Sequence, residues 1–376
     1  MVPPCPSSHC RHTPVRNCCS EGHLFLQLLP RSTNMGEQLQ SGHYSRLQFA
    51  EVRTTGKGEM MEQVVRIVVS CSDRKSIPPS PDLRLGAYVD DLAARSARWI
   101  DRIGHPVGET IPARHLYKGE HWSVVRQLPA AGAESGCTVE LWVASAGYGL
   151  IHIDDPLEPY AATFATRNAD SITRPNSSSS PSSDARFWWE QLTERRRASS
   201  RPDSLRSLVR QMPDAPLVVA LSGSYIRAVE QDLVDAAKEF TNPNNLLIVA
   251  SGMAASELQR YRVPADARFQ QSLGGTRMSL NARIAKRLVE RARQHCWEVD
   301  EIHRHLSEEL AGLDHVPTFD RQTMTDREVV AFIKRTFAAH GRLPQTKLLR
   351  QLRDDNRDCE QKRFARLYLS VLEEAI

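Results

Sequence analysis

The sequence predicts an α/β protein: a mixed or parallel sheet flanked by helices, followed by a small C-terminal all-α module of helix-turn-helix type. Three observations carry this. Four continuous apolar runs end in serine beside a small residue: VVRIVVSCS (64–72), LWVASAG (141–147), LVVALSGS (217–224) and LLIVASG (246–252). Runs of this kind are strands buried on both faces, as in sheets covered by helices. The last two runs bracket one helical segment, a strand–helix–strand unit expected to cross over right-handed. After residue 325 the pattern changes to helices alone.

Residues 1–60 show no periodicity and are expected to be a disordered or non-native extension, with Met35, Met60 or Met61 as alternative starts. Of eight cysteines, Cys5, Cys10, Cys18 and Cys19 crowd this segment beside His9, His12 and His23. Their spacing matches no paired zinc motif, so no metal is expected. Cys71, Cys137, Cys296 and Cys359 are scattered and read as reduced thiols.

The α/β domain is placed at 61–315. Its first strand (64–70) leads through a Pro-rich loop into a helix at 87–103, and a further helix is expected through Val125. The second strand (139–144) opens onto SAGYGLIHIDDPLEPYAATF, read as one long loop too rich in specific residues to be idle. The tract RPNSSSSPSSD marks a flexible insert at 173–185, followed by a helix with bulky anchors at 187–197. The third strand (217–221), a helix (224–240) and the fourth strand (246–250) come next. Gly274 and Gly275 turn the chain into a helix at 280–294, and an amphipathic helix at 299–310 closes the domain. The basic module spans 322–376, with helices at 325–341, 346–354 and 358–374. Thr325 and Glu328 form a capping-box pattern at its start.

Composition narrows the function classes. The net charge of +4 is too small to argue a polyanionic partner from the total. The mean hydropathy of -0.44 and the absence of an apolar run near the roughly 18 residues a membrane span needs point to a soluble, cytoplasmic protein without a membrane partner.

Chemistry-bearing residues gather at the strand ends, where ligands collect in open α/β sheets. Ser70, Cys71, Ser72, Asp73, Arg74 and Lys75 put a thiol, hydroxyls, a carboxylate and two cations on one turn. That turn suits an anionic group, or a nucleophilic Cys71 activated by its cationic neighbours. The plain alternative is a small buried thiol beside a solvated basic loop. ARHLYKGEHW (113–122) offers Arg114 and Tyr117 for phosphate pairing and base stacking. In the long loop, Ser145 and Tyr148 are candidate ligand contacts and Glu158 a candidate general base, while Tyr160 is read as packing the loop down. Ser222, Ser224 and Tyr225, like the Gly274–Gly275–Thr276 turn, precede helices whose free amides attract anions. Between 327 and 366 basic residues outnumber acidic ones. Arg350, Arg353, Gln361, Lys362, Arg363 and Arg366 are the types that grip phosphates or read bases.

CSDRKS after a strand, ARHLYKGEHW, and LWVASAGYGLIHIDDPLEPYAATF together resemble a group of bacterial and phage proteins. These share C-S/G-x-x-K, A-R-x-L-Y and S-A-x-Y-G-L elements with a downstream P-Y. The first element is similar to the cysteine motif of archaeosine synthase cores, and the layout to the YaaA-like proteins. The resemblance covers about 67–164, with 217–281 as its continuation. It implies work on nucleic acid, in particular 7-deazaguanine modification of a nucleobase in tRNA or DNA. Catalysis would fall to Cys71, Lys75 and Glu158, and the C-terminal module would provide DNA targeting. Archaeosine synthases follow their cysteine motif with proline and tyrosine, where Ser76 and Ile77 stand here. The alternative is a non-catalytic DNA-binding regulatory or defence protein whose α/β domain senses a nucleotide. No cofactor is indicated by any motif.

Overall fold

A computed structural model of the protein describes residues 63–174, 177, 179–196, 201–251, 256–292, 297–315 and 321–374. The expectations placed on residues 1–60, on Gly252 and on Cys296 lie outside these. The chain divides into two compact units, one ending at Gly312 and the other beginning at Leu313.

In the first unit β1 (Gln63–Ser70) is followed by α1 (Leu92–Gly104), β2 (Ile111–Pro112), α2 (Ala113–Leu116), α3 (Glu120–Val125) and α4 (Leu128–Glu134). Then come β3 (Cys137–Ser145), β4 (Gly149–His152), β5 (Pro156–Leu157), α5 (Pro181–Arg196) and α6 (Leu205–Gln211). The remainder comprises β6 (Leu217–Ala220), α7 (Gly223–Ala237), β7 (Leu246–Val249), β8 (Arg262–Val263), α8 (Gln270–Leu273), α9 (Leu280–Glu290) and α10 (Val299–Ala311).

The fold is α/β with a mixed sheet. Among the described residues six strands pair in the order β4-β3-β1-β6-β7-β8, all parallel except the β3–β4 hairpin. Val65 through Val69 are buried without a break, which requires cover on both faces. The helices supply it in two groups: α1, α5, α6 and α7 pack together, and α3, α4 and α9 pack together. Arg66 is buried within that run. It donates to Glu140 at 2.8 Å and to the Leu208 carbonyl, so its charge is not left uncompensated.

The four apolar runs are β1, β3, β6 and β7, and the expected strand–helix–strand unit is β6–α7–β7. Two expectations need correction. The stretch after β3 is not one loop. Gly149, at φ +77, turns the chain back so that Gly149–His152 pairs antiparallel with Trp142–Ser145. The Ser/Pro insert is also shorter than 173–185, because α5 begins at Pro181 and buries Asp184 and Ala185. Proline suits a first helical turn, where its missing N–H has no partner to lose.

Order determines where the site falls. The chain leaves β1 toward β3 on one side, and leaves β6 toward β7 on the other. The carboxyl ends of β1 and β6 therefore flank a topological switch point, the crevice where α/β sheets take ligands.

The second unit contains β9 (Gln322–Thr323), α11 (Asp326–His340), α12 (Gln345–Asp354), β10 (Arg357–Asp358) and α13 (Gln361–Glu373). Thr325 and Glu328 close the capping box, and Gly341 ends α11 at φ +70. Val329, Phe332, Ile333, Leu348, Leu352 and Phe364 form the centre of a separate small core. The two-residue pair β9–β10, which the helical pattern does not reveal, ties the entry of the unit to the approach to α13.

Candidate functional site

The turn after β1 and the ARHLYK segment, some forty residues apart, are joined by main-chain pairing. Lys75 and Tyr117 form an antiparallel bridge. The Lys118 N–H donates to the Arg74 carbonyl at 2.8 Å, and the Ser76 N–H to the Leu116 carbonyl at 2.8 Å. Ser72 locks the turn by accepting from the Arg74 N–H and donating to the Lys118 carbonyl. The His121 ring donates from Nε2 to the Ser70 carbonyl at 3.2 Å, and burial lowers its pKa, which keeps the ring neutral.

Beneath this turn lies a buried tyrosine cluster. Ser145 Oγ accepts from the N–H groups of Tyr148 (3.0 Å) and Gly147 (3.3 Å), so its own proton goes to Tyr160 Oη at 2.7 Å. Tyr160 in turn donates to Tyr117 Oη at 2.8 Å. Tyr148 packs edge-on against Tyr160, and Trp122 lies over Tyr117 with centroids 4.6 Å apart. Burial first, and then negative charge on Cys71, pushes the phenols of Tyr117, Tyr160 and Tyr225 well above 10. All three therefore remain protonated donors.

Two reactive groups stand on this floor. Cys71 Sγ lies 3.0 Å from Tyr225 Oη, bridging the ends of β1 and β6 across the switch point. Lys75 Nζ sits 4.2 Å from the Tyr160 ring centroid and 5.7 Å from that of Tyr117. Desolvation lowers the Lys75 pKa, and charge on Cys71, Asp73 and Asp170 works in the opposite direction.

Lys75 opens into a cleft of about 270 Å³. Asp73, Asp170, Asn168 and Arg84 line it, with Ile77, Pro78 and Pro79 as apolar lining. Asn168 donates to Asp73 at 3.2 Å, and Asp170 accepts from the Gly86 N–H at 3.0 Å. Two carboxylates against two cations leave no strong positive field. The volume lies at the lower edge of the roughly 300–1,000 Å³ typical of small-molecule pockets.

The other predicted residues fall elsewhere. Arg114 is committed to an ion pair with Asp154. The Glu158 carboxylate is buried against Arg102 at 2.8 Å and accepts from the Gly108 N–H at 2.6 Å. The Arg102 hydrogen bond holds it below the ordinary carboxylate range. It is an anchored anion and does not join Cys71 and Lys75, contrary to the general-base expectation. Tyr148 is a wall of the cluster, its hydroxyl donating to the Glu158 carbonyl at 3.3 Å. Ser222 and Ser224 bond each other at 3.1 Å at the start of α7, above Tyr225.

The Gly274–Gly275–Thr276 turn does hold an anion, but it is the protein's own. Glu120 accepts from the Thr276 N–H (3.0 Å), the Ser279 hydroxyl (2.9 Å) and Arg283 (2.9 Å). These donors, the Thr276 N–H first, hold its pKa at about 2. Tyr160 is the hub of the cluster, where the sequence predicts only packing. Its P-Y context gave no sign that its partners would be Ser145, Tyr117 and Lys75.

No family model, curated protein or solved structure matches this chain. Among the described residues no three His, Cys, Asp or Glu side chains gather as a metal site would require, and no helix is long and apolar enough to cross a membrane.

In the C-terminal unit the six nucleic-acid candidates are unequal. Arg350, Gln361 and Lys362 are exposed and Arg353 is half-buried. Arg363 and Arg366 both reach Asp326 in the first turn of α11, Arg366 at 3.3 Å. Glu360 caps α13, accepting from the N–H groups of Lys362 (2.9 Å) and Arg363 (2.8 Å).

Proposed function

We propose that this chain is a nucleic-acid-associated enzyme that recognises and modifies a nucleobase, of the 7-deazaguanine type implied by its motif resemblance. The base would sit at the carboxyl ends of β1 and β6, and the C-terminal unit, as a helix-turn-helix-like module, would bring DNA or tRNA to it. The observation that carries the reading is Lys75. Its amine is drawn against the faces of Tyr160 and Tyr117, within electrostatic reach of Cys71, and opens into a cleft of about 270 Å³. An amine of lowered pKa is neutral in a larger fraction of molecules near neutrality and can act as base or nucleophile. Cys71 offers a second nucleophile, and the Tyr225 hydroxyl lies 3.0 Å from its sulfur. Asp73, Asp170 and Asn168 supply the acceptors and donors that would read a base edge.

The test is the nucleoside composition of DNA and tRNA from cells expressing the wild type, Cys71→Ala or Lys75→Met. A modified base made by the wild type and lost in both variants supports the reading. An unchanged composition in all three sinks it. A second reading, a non-catalytic nucleotide sensor in a regulatory or defence protein, is favoured by one observation: the third catalytic candidate, Glu158, is tied to Arg102. Nucleotide binding with no change in base composition would support that alternative.

A further inference from the structure

The exposed cations of the C-terminal unit lie on all three helices, Arg327, Lys334 and Arg335 on α11, Lys347 and Arg350 on α12, and Lys362 and Arg366 on α13. Only α12, however, lies in a stretch, from Val329 to Arg353, that holds no acidic residue. α12 buries Leu348, Leu349 and Leu352, and on its opposite side Lys347 and Arg350 stand one turn apart and exposed. Arg342, in the link before it, is exposed as well. No ion pair is recorded for any of these three among the described residues, and Pro344 leaves the α12 start without a side-chain cap. α13 contrasts in its arginines and its start, although its Lys362 is exposed too. Arg363 and Arg366 are drawn back onto Asp326. The α13 amino end is occupied by the Glu360 carboxylate, which would face a phosphate with like charge. A helix whose arginines are committed and whose start is anionic is poorly suited to enter a polyanion's groove. A helix with free cations and an open start is well suited to it.

We propose that α12, with Lys347, Arg350 and the preceding Arg342, is the face of this unit that engages the phosphate backbone of a nucleic-acid duplex, and that α13 buttresses it. This rests on the reading of the unit as a nucleic-acid module, and departs from the sequence expectation that the later helix makes the contact. Each phosphate contact contributes about 0.9 to the slope of log K against log salt, which at about 0.15 M corresponds to about fivefold in affinity.

The test uses the full chain and a fluorescent random-sequence duplex, titrated across salt concentrations. Lys347→Gln with Arg350→Gln should weaken binding about 30-fold and flatten the slope by about 2. Arg363→Gln with Arg366→Gln should change affinity less than about twofold. Circular dichroism melts of both variants confirm that each is folded; should the α12 double variant melt early, Arg342→Gln alone is read instead, with about fivefold weakening expected. Loss in the α13 variant with none in the α12 variants overturns the assignment while leaving the module reading in place. Failure of the wild type to bind duplex overturns the module reading itself, and this inference with it.

Discussion

Replacing Tyr160 by phenylalanine removes one oxygen and keeps the ring, so its effect measures the hydrogen-bond chain under the site with little change in packing. Ser145 and Tyr117 are both fully buried, and the Tyr160 hydroxyl is bonded to each, at 2.7 and 2.8 Å. Ser145 Oγ already accepts two N–H groups, so in the variant its proton has nowhere to go, and Tyr117 Oη loses a donor. A net hydrogen bond contributes about 1 kcal/mol, and a buried polar group left unsatisfied costs about 1–3 kcal/mol. The expected loss of stability is therefore about 2–3 kcal/mol. All six tryptophans lie between residues 99 and 297, so tryptophan fluorescence during urea unfolding reports on the α/β unit alone. The midpoint should fall with little change in m-value. A double-mutant cycle with Ser145→Ala should return a coupling of about 1 kcal/mol. A loss below about 0.5 kcal/mol, within the range of ordinary surface substitutions, would refute the proposed proton order.

Three further outcomes follow from the same geometry. Gly147→Ala should destabilise the unit by about 1–3 kcal/mol, because the new Cβ would lie 2.5 Å from the Tyr160 ring; a neutral result in the same urea assay would show that the ring can yield. Lys75 has a folded pKa below its ordinary 10.5, so between those two values the unfolded chain holds more protons and stability rises with pH. Lys75→Met should flatten that rise in unfolding midpoints taken across the alkaline range, and a variant that keeps it would contradict the lowered value. Glu120 is shifted the other way, from 4.5 to about 2; its contribution is complete above 4.5 and is lost as pH falls toward 2. The stability gap between wild type and Glu120→Gln should thus close on acidification, and a gap independent of pH would exclude the Thr276–Arg283 cradle as its source.

The strands were legible because burial on both faces demands a mostly apolar run, and β1, β3, β6 and β7 each supply one, that of β1 interrupted by the paired Arg66. β4 was not, because GLIH is short and lies among polar residues, and only Gly149 marked the reversal. Residues brought to the site by the local chain, Cys71 and Lys75, were readable as a cluster on one turn. Tyr160 was not, since a tyrosine after proline looks the same whether it packs a loop or anchors a network whose members lie 15 and 43 residues away. The partners of charged side chains were the least legible. Glu158, Arg114, Arg363 and Arg366 all looked available, yet Arg102, Asp154 and Asp326 hold them, through contacts that no spacing in the sequence encodes.

The electrostatics of the cleft bear on how the two units divide their work. A polyanion is held chiefly by cations at its phosphates, yet the cleft sets Asp73 and Asp170 against Lys75 and Arg84, and the helix start near Gly275 that might have received a phosphate already holds Glu120. On the proposed reading, this cleft would suit a neutral, hydrogen-bonding aromatic group better than a phosphate. If the ligand is a base within a polymer, the backbone must be held elsewhere. The free cations at Arg342, Lys347 and Arg350 belong to the other unit, which has its own small core. On that division, variants of the C-terminal cations should alter affinity and its salt dependence without altering which base is recognised. Variants at Lys75 and Tyr160 should alter base discrimination and leave the salt slope unchanged.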